Sequence, residues 1–362
     1  MIDRAQIEEV ISRITDPYLE QNYVEAGAID SVDISEQSID VKLTLPYAAG
    51  FFGGGVKQLL ESGLSAEFDE HRVSVTVDWN VAAQKAANNL PGLKGVKNII
   101  AVASGKGGVG KSTTSANLAL ALKHEGARVG LLDADIYGPS QGLMLGVADD
   151  VRPEVKDEKF FLPVEAHGLQ VMSMAFLVTE NTPMVWRGPM VSGALQQLLT
   201  QTLWDDLDYL VIDLPPGTGD IQLTLSQKVP VTAAVIVTTP QDLALLDAKK
   251  GIEMFRKVNV PVLGVIENMS THICTKCGHE EPIFGEGGGD RIAKEFGTSL
   301  IGELPLSLSI REKADAGSPH VADDPESPIA MMYIEIARRT MARLAQQNQA
   351  QDEMPIIQMS DD

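Results

Sequence analysis

The segment GKGGVGKST, from Gly105 to Thr113, constrains this chain more than any other feature. It follows the apolar run NIIAVAS directly and opens the helical stretch STTSANLALALKHEG. Glycines let backbone amides approach phosphate oxygens, and the N-terminus of the following helix adds its positive dipole. A strand before and a helix after is the setting that the pattern GxxxxGK[ST] requires. The spacing therefore predicts an ATP site formed by Gly105, Lys106, Gly107, Gly108, Val109, Gly110, Lys111, Ser112 and Thr113. Lys111 reads as the P-loop lysine on the β- and γ-phosphates and Ser112 as a hydroxyl ligand to Mg2+, with Thr113 next along. An ordinary P-loop does not require Lys106, which taken alone is a surface lysine.

Around this motif, from residue 97 to 346, uniformly apolar runs alternate with helical stretches. The runs are NIIAVAS, ARVGLLDAD, LQVMSMA, YLVIDLP, TAAVIVTTP, VPVLGVIENM and SLIGELP. Runs of this kind suit strands covered on both faces, and the alternation predicts an α/β fold with a doubly wound, mostly parallel sheet. Asp213 ends YLVID, where a carboxylate can hold the Mg2+ shell. Asp133 and Asp135 end GLLDAD in the same way, although aspartate at a strand end is also an ordinary turn former. PPGTGD, next to Asp213, has the glycine and proline content of a γ-phosphate-sensing switch. In VWRGPMVSGAL, Arg187 precedes a helix start and reads as helix initiation or as a subunit contact.

Residues 1–85 differ in pattern and read as a small α+β domain. It has a helix from Ile2 to Ile14, a turn at Asp16-Pro17, strands from DISEQSIDVKLTL and HRVSVTVDW, and a helix between them from about Gly55 to Ser65. Residues 86–96 form a linker, and residues 347–362 read as an acidic, disordered tail. The chain carries 29 basic and 50 acidic residues, a net charge of −21, so attraction to nucleic acid or an anionic membrane is expected to be weak. The N-terminus lacks the basic start and apolar run of a signal peptide, and no run reaches the ~18 apolar residues of a membrane helix. A cytoplasmic protein is expected.

The only cysteines, Cys274 and Cys277, stand in a CxxC pair flanked by His272 and His279. The spacing suits an iron-sulfur cluster, a zinc knuckle or a dithiol redox pair, and does not choose among them.

Lys106 together with Lys111 in KGGVGKS resembles the deviant Walker A motif of the family that includes nitrogenase iron protein, the Min and Par ATPases and the Mrp/ApbC carriers. The segments LLDADIYGPS, VWRGPM, DYLVIDLPPGTGD, ENMS and a two-cysteine segment followed by IFGEGGG resemble the Mrp/ApbC iron-sulfur carriers in particular, and occur here in that family's order. The N-terminal unit is similar to the iron-sulfur assembly domain fused to many members. The resemblance implies that Lys106 reaches the nucleotide of a partner chain, that Asp135 positions the attacking water and that Asn268 contacts adenine. It also implies that Cys274 and Cys277 bind a [4Fe-4S] cluster.

A [4Fe-4S] cluster takes four cysteine ligands and this chain has two, so a bridging cluster in a homodimer is expected, loaded by cluster donor or scaffold proteins and passed to apo-proteins. Two features depart from the family pattern. The N-terminal unit has no cysteine in TLPYAAGFFGGG, and the usual CPxC is CTKC here, which removes a rigid turn but no ligand. The alternatives are a Min/Par-like positioning ATPase, a zinc-stabilised P-loop ATPase dimer and a reductase resembling nitrogenase iron protein. The first needs a basic helix or DNA-binding face, which this acidic chain does not offer. In the reductase the cluster cysteines are well separated in sequence.

Overall fold

The structure, a computed structural model, describes residues 2–86, 90–177, 188–217, 219–274 and 276–352. Trp186, Arg187, Thr218 and the end of the expected tail lie outside the described residues. The chain divides into two compact units, one of Met1–Ala82 with Arg338–Asp362, the other of Ala83–Ala337.

In the first unit, α1 (Arg4–Ser12) begins at a capping box in which the Asp3 and Gln6 side chains and backbone amides bond reciprocally. The expected strand stretch Asp33–Leu45 holds β2 (Ser38–Leu45) and only the end of β1 (Ile29–Ile34), which starts earlier and pairs with β2 as a hairpin around the turn at residues 35–37. Ile39, Val41, Leu43 and Leu45 alternate inward on β2, the period that a half-covered strand requires. Helix α2 (Phe52–Glu67) buries Val56, Leu60 and Leu64 at four-residue spacing and crosses over to β3 (Arg72–Trp79), which runs parallel to β2. Asp16 is fully buried, accepting from the Tyr47 hydroxyl at 2.7 Å and from the amides of Tyr18 and Leu19.

The second unit is built on a nine-stranded sheet. Its strands are β4 (Val96–Ala103), β5 (Val129–Asp133), β6 (Val164–Ala166), β7 (Leu169–Ser173), β8 (Leu207–Asp213), β9 (Ala233–Thr238), β10 (Val262–Ile273), β11 (Glu280–Glu281) and β12 (Leu300–Leu306). The order is β6-β7-β5-β8-β4-β9-β10, with β11 and β12 both paired to β10. All seven apolar runs of the sequence are strands of this sheet and pair in parallel. Only the short β6 and β11 pair antiparallel. Every residue of β5, β8 and β9 is buried, as expected of strands covered on both faces.

The longer helices of this unit are α3 (Lys111–His124), α4 (Gly188–Gln201), α5 (Asp220–Lys228), α6 (Asp242–Lys257), α7 (Gly288–Glu295) and α8 (Leu308–Asp315). Helix α3 is buried all round from Thr114 to Leu122, so it is a central helix rather than a surface one.

The last helix, α9 (Pro328–Asp352), runs six residues past Gln346, where the sequence reading begins a tail. Gln347 to Asp352 are Gln, Asn, Ala and Asp without Gly or Pro, so nothing in them stops a helix. From Arg338 on, this helix groups with the first unit rather than with the nucleotide-binding unit to which the linear reading assigns it. There the Arg338 guanidinium lies 5.3 Å from the centre of the Phe52 ring and donates to the Tyr18 hydroxyl at 3.3 Å. Among the described residues no helix is long and apolar enough to cross a membrane.

Candidate nucleotide and cysteine sites

The loop from β4 to α3 turns on Gly108 and Gly110, each with φ near +80°, a conformation that side chains with a Cβ resist. Gly110 has a second constraint, because a Cβ there would lie 2.1 Å from the Asn268 side-chain nitrogen. At Gly105 a Cβ would lie 2.2 Å from the carbonyl carbon of Asp247, so the start of the loop is packed directly on α6. Asn268, midway along β10, donates from Nδ2 to the Val109 carbonyl at 2.8 Å. The structure thus places Asn268 under the loop as a brace.

Lys106, Gly107, Gly108, Gly110, Lys111, Ser112, Thr113 and Asp135 line one open cavity of about 230 Å3, and Ser104, Ser140, Met144 and Pro216 complete its wall. The expected nucleotide-site residues absent from this wall are Gly105 and Val109, which belong to the loop, and Asp213 and Asn268, which lie behind it. Asp213 is fully buried at the end of β8. Its Oδ1 accepts from Lys111 Nζ at 2.5 Å and from the Ser115 hydroxyl at 2.9 Å, and its Oδ2 accepts from Gln141 Nε2 at 2.8 Å. After Asp213 the chain is tied back to the loop, since the Gly217 amide donates to the Ser104 carbonyl at 3.0 Å.

Asp133, at the end of β5, accepts from the amides of Asp135, Ser140 and Gln141 and from the Ser173 hydroxyl. Burial, with the charge of Asp213 behind it, pushes its carboxyl up to about 7 despite those donors. Asp133 therefore shapes the turn that carries Asp135. Asp135 is half-buried on the cavity wall, and burial raises its carboxyl above the usual carboxylate range against the pull of Lys111. A raised carboxyl facing the cavity can accept a proton from a water molecule.

The donor set fits a polyphosphate with a divalent cation. The ammonium groups of Lys106 and Lys111, the Ser112 and Thr113 hydroxyls and the N-terminus of α3 line the cavity, with the Asp213 carboxylate held just behind them. One buried acceptor beside this set, Oε1 of Gln141, has no partner among the described residues. Sequence reasoning missed Ser115 and Gln141. Ser115 follows Ser112 by three residues on the same helix, a spacing that could have pointed to it, whereas no motif marks Gln141.

The two cysteines stand away from the cavity, in the loop of the β10–β11 hairpin. The Cys274 amide donates to the His279 carbonyl, and the Gly278 amide returns to the Cys274 carbonyl, both at 2.9 Å, with Gly278 at φ +71°. The amides of Lys276 and Cys277, then the Cys277 thiol, hydrogen-bond the Cys274 sulfur and hold its thiol below the ordinary value. Cys277 is exposed, and both sulfurs are free thiols. His272 lies against the Leu306 carbonyl at 3.3 Å, and His279 is exposed. Among the described residues no cluster of three or more His, Cys, Asp or Glu could hold a metal ion.

Residues 95–341 match the family described as NUBPL iron-transfer P-loop NTPase, and residues 4–79 match the iron-sulfur cluster assembly protein family. The chain belongs to the NUBPL iron-transfer P-loop NTPase family. Within it, the chain is 68% identical over 263 residues to the iron-sulfur cluster carrier protein of Pseudomonas fragi, covering 73% of this chain and 92% of that one. It is 51% identical over 345 residues to the iron-sulfur cluster carrier protein of Escherichia coli K12, covering 94% of this chain and 92% of that one. Among solved structures it is similar to a nucleotide-binding protein from Archaeoglobus fulgidus in complex with ADP. That match has 37% identity and a TM-score of 0.57, and covers 66% of this chain and 91% of the other. These matches bear out the resemblance to the Mrp/ApbC carriers and the P-loop fold read from the sequence.

Proposed function

We propose that this protein is an ATP-hydrolysing iron-sulfur cluster carrier of the cytoplasm. In this reading two chains hold one [4Fe-4S] cluster between their Cys274 and Cys277 pairs and pass it to apo-proteins. The observation that carries the reading is the cysteine loop. Backbone amides directed at Cys274 prepare a thiolate, and Cys277 is exposed beside it. Two thiolates chelate a metal centre only in part, and among the described residues no further ligand group completes the set. A second copy of the chain supplies the missing pair. The names of the relatives support the same cargo.

ATP occupies the cavity with its phosphates on the Gly107–Thr113 backbone. Lys111, paired with Asp213 in this structure, would hold the β- and γ-phosphates, and Ser112 with Asp213 would hold the magnesium shell. Magnesium supplies charge neutralisation on the phosphate oxygens. Asp135 orients the attacking water, Asn268 braces the loop, and Lys106 extends to the nucleotide of the partner chain. Closing the dimer on ATP and loosening it on hydrolysis biases the cluster between retention and release.

The test is transfer from the reconstituted protein to an apo-protein that takes a [4Fe-4S] cluster, with ATP or ADP present. The reading expects recovery of acceptor activity in step with loss of the donor's visible absorption. It expects Asp135→Ala to load cluster normally in vitro but fail to mature an apo-protein in cells. Normal maturation by that variant contradicts the coupling.

A further inference from the structure

Gln141 opens the one-turn helix Gln141–Met144 between Ser140 and Met144, both on the cavity wall, yet it is itself completely buried. Its backbone amide donates to Asp133 Oδ2 at 3.0 Å. Its side-chain Nε2 donates to Asp213 Oδ2 at 2.8 Å and to the Ser112 carbonyl at 3.0 Å. One residue therefore touches the turn after β5, the first turn of α3 and the end of β8. The next residue fixes it in place, because a Cβ at Gly142 would lie 2.9 Å from the Phe176 ring.

Both amide hydrogens of Gln141 are committed to oxygen acceptors, which fixes the orientation of the carboxamide. That leaves Oε1 buried, with no donor among the described residues. A buried carbonyl oxygen without a donor is unfavourable unless something else fills the place. The two residues that its Nε2 joins, Ser112 through its carbonyl and Asp213 through its carboxylate, carry the hydroxyl and carboxylate that fit a magnesium shell, and Mg2+ bound to a nucleotide keeps several of its waters. We propose that Gln141 is a positioning residue for the metal. It holds Asp213 in register through Nε2 and accepts through Oε1 from a water of the magnesium shell.

This inference rests on the nucleotide reading of the cavity, and the test separates the two. ATP affinity is measured by calorimetry on the full-length protein in saturating Mg2+ and again in excess EDTA, for wild type, Gln141→Met and Gln141→Ala. Methionine keeps the volume, while alanine leaves room for water and covers the case in which the first variant folds poorly. Outer-shell partners of a metal typically change its affinity about 10–100-fold. The expected result is that the gain in ATP affinity brought by Mg2+ falls about tenfold or more in a variant, while affinity in EDTA moves less than about twofold. The Mg2+ concentration for half-maximal hydrolysis should rise in parallel. Equal losses with and without Mg2+ reduce Gln141 to a structural residue and overturn the proposal, as does an unchanged Mg2+ dependence. Failure of the wild type to bind ATP at all overturns the nucleotide reading, and the Gln141 proposal with it.

Discussion

Glu267 and Asn268, consecutive on β10, grip two different loops. The Asn268 amide donates to Val109 in the nucleotide loop, and the Glu267 carboxylate accepts from the Gly289 amide in the first turn of α7, beyond the cysteine hairpin. Six residues after Asn268 the same strand has become Cys274. One strand thus braces the phosphate site and leads directly into the cysteine loop. Met269, between brace and hairpin, has φ +57°, in the left-handed region that residues with a Cβ seldom adopt.

Asn268→Ala removes a buried hydrogen bond, with a cost of about 1–3 kcal/mol in loop integrity. We expect ATP to bind roughly tenfold more weakly by calorimetry. Gly110→Ala should abolish binding, since its Cβ meets the Asn268 amide in a backbone conformation already unfavourable to alanine. Unchanged affinity in Asn268→Ala contradicts the brace.

Lys111 and Asp213 form a buried ion pair, 6% and 0% exposed. Removing one member leaves an uncompensated charge, at a cost of about 3–5 kcal/mol. Lys111→Ala should therefore destabilise the nucleotide-free protein in chemical denaturation as well as abolish ATP binding. The double variant Lys111→Ala with Asp213→Ala should recover part of that stability. Strict additivity of the two substitutions would show the pair to be uncoupled.

Lys106 behaves differently. It lines the cavity, and among the described residues no ion pair engages it. Lys106→Ala should leave stability within about 0.5 kcal/mol of wild type. Hydrolysis should nevertheless fall about 1,000-fold or more if the lysine serves a partner's nucleotide, the magnitude expected of a trans-acting cation on transferring phosphate. Mixing Lys106→Ala with a Lys111→Ala chain should give no more activity than one competent site per mixed dimer provides.

The Asp133 carboxyl is raised from 3.8 to about 7 by burial. The native state therefore holds a proton there that the unfolded state releases at lower pH. This contribution to stability is fully present below about 4, declines as pH rises, and is lost on passing about 7. In nucleotide-free protein with chelator, the stability difference between wild type and Asp133→Ala should shrink as pH is raised from about 4 to 7. The readout is the pH slope, so the lower baseline expected of the alanine variant does not confuse it.

The parallel sheet was legible because its strands are uniformly apolar, a pattern that only strands covered on both faces sustain. The segments Val164–Ala166 and Glu280–Glu281 were not, since two or three residues of mixed polarity carry no period. In the site, Lys111, Ser112 and Asp135 were readable from local motif and strand-end position and Lys106 only through the family resemblance, and the fold brings all four to one cavity. Gln141 was invisible. A glutamine after GPS is an ordinary surface residue until Ser112 and Asp213, from distant segments, close around it. The sequence also marks Asn268 through its resemblance to a nucleotide contact, whereas the hydrogen bond to Val109 joins positions 159 residues apart, which no local pattern encodes.

The central claim is that two chains share one cluster through Cys274 and Cys277. Its most direct test is anaerobic reconstitution followed by iron, sulfide and zinc analysis and by solution mass, for wild type, Cys274→Ser and Cys277→Ser. The account predicts about four iron and four sulfide per two chains in a wild-type dimer, and loss of both in each serine variant. Wild-type iron and sulfide content in the serine variants, or one zinc per chain without sulfide, would contradict it.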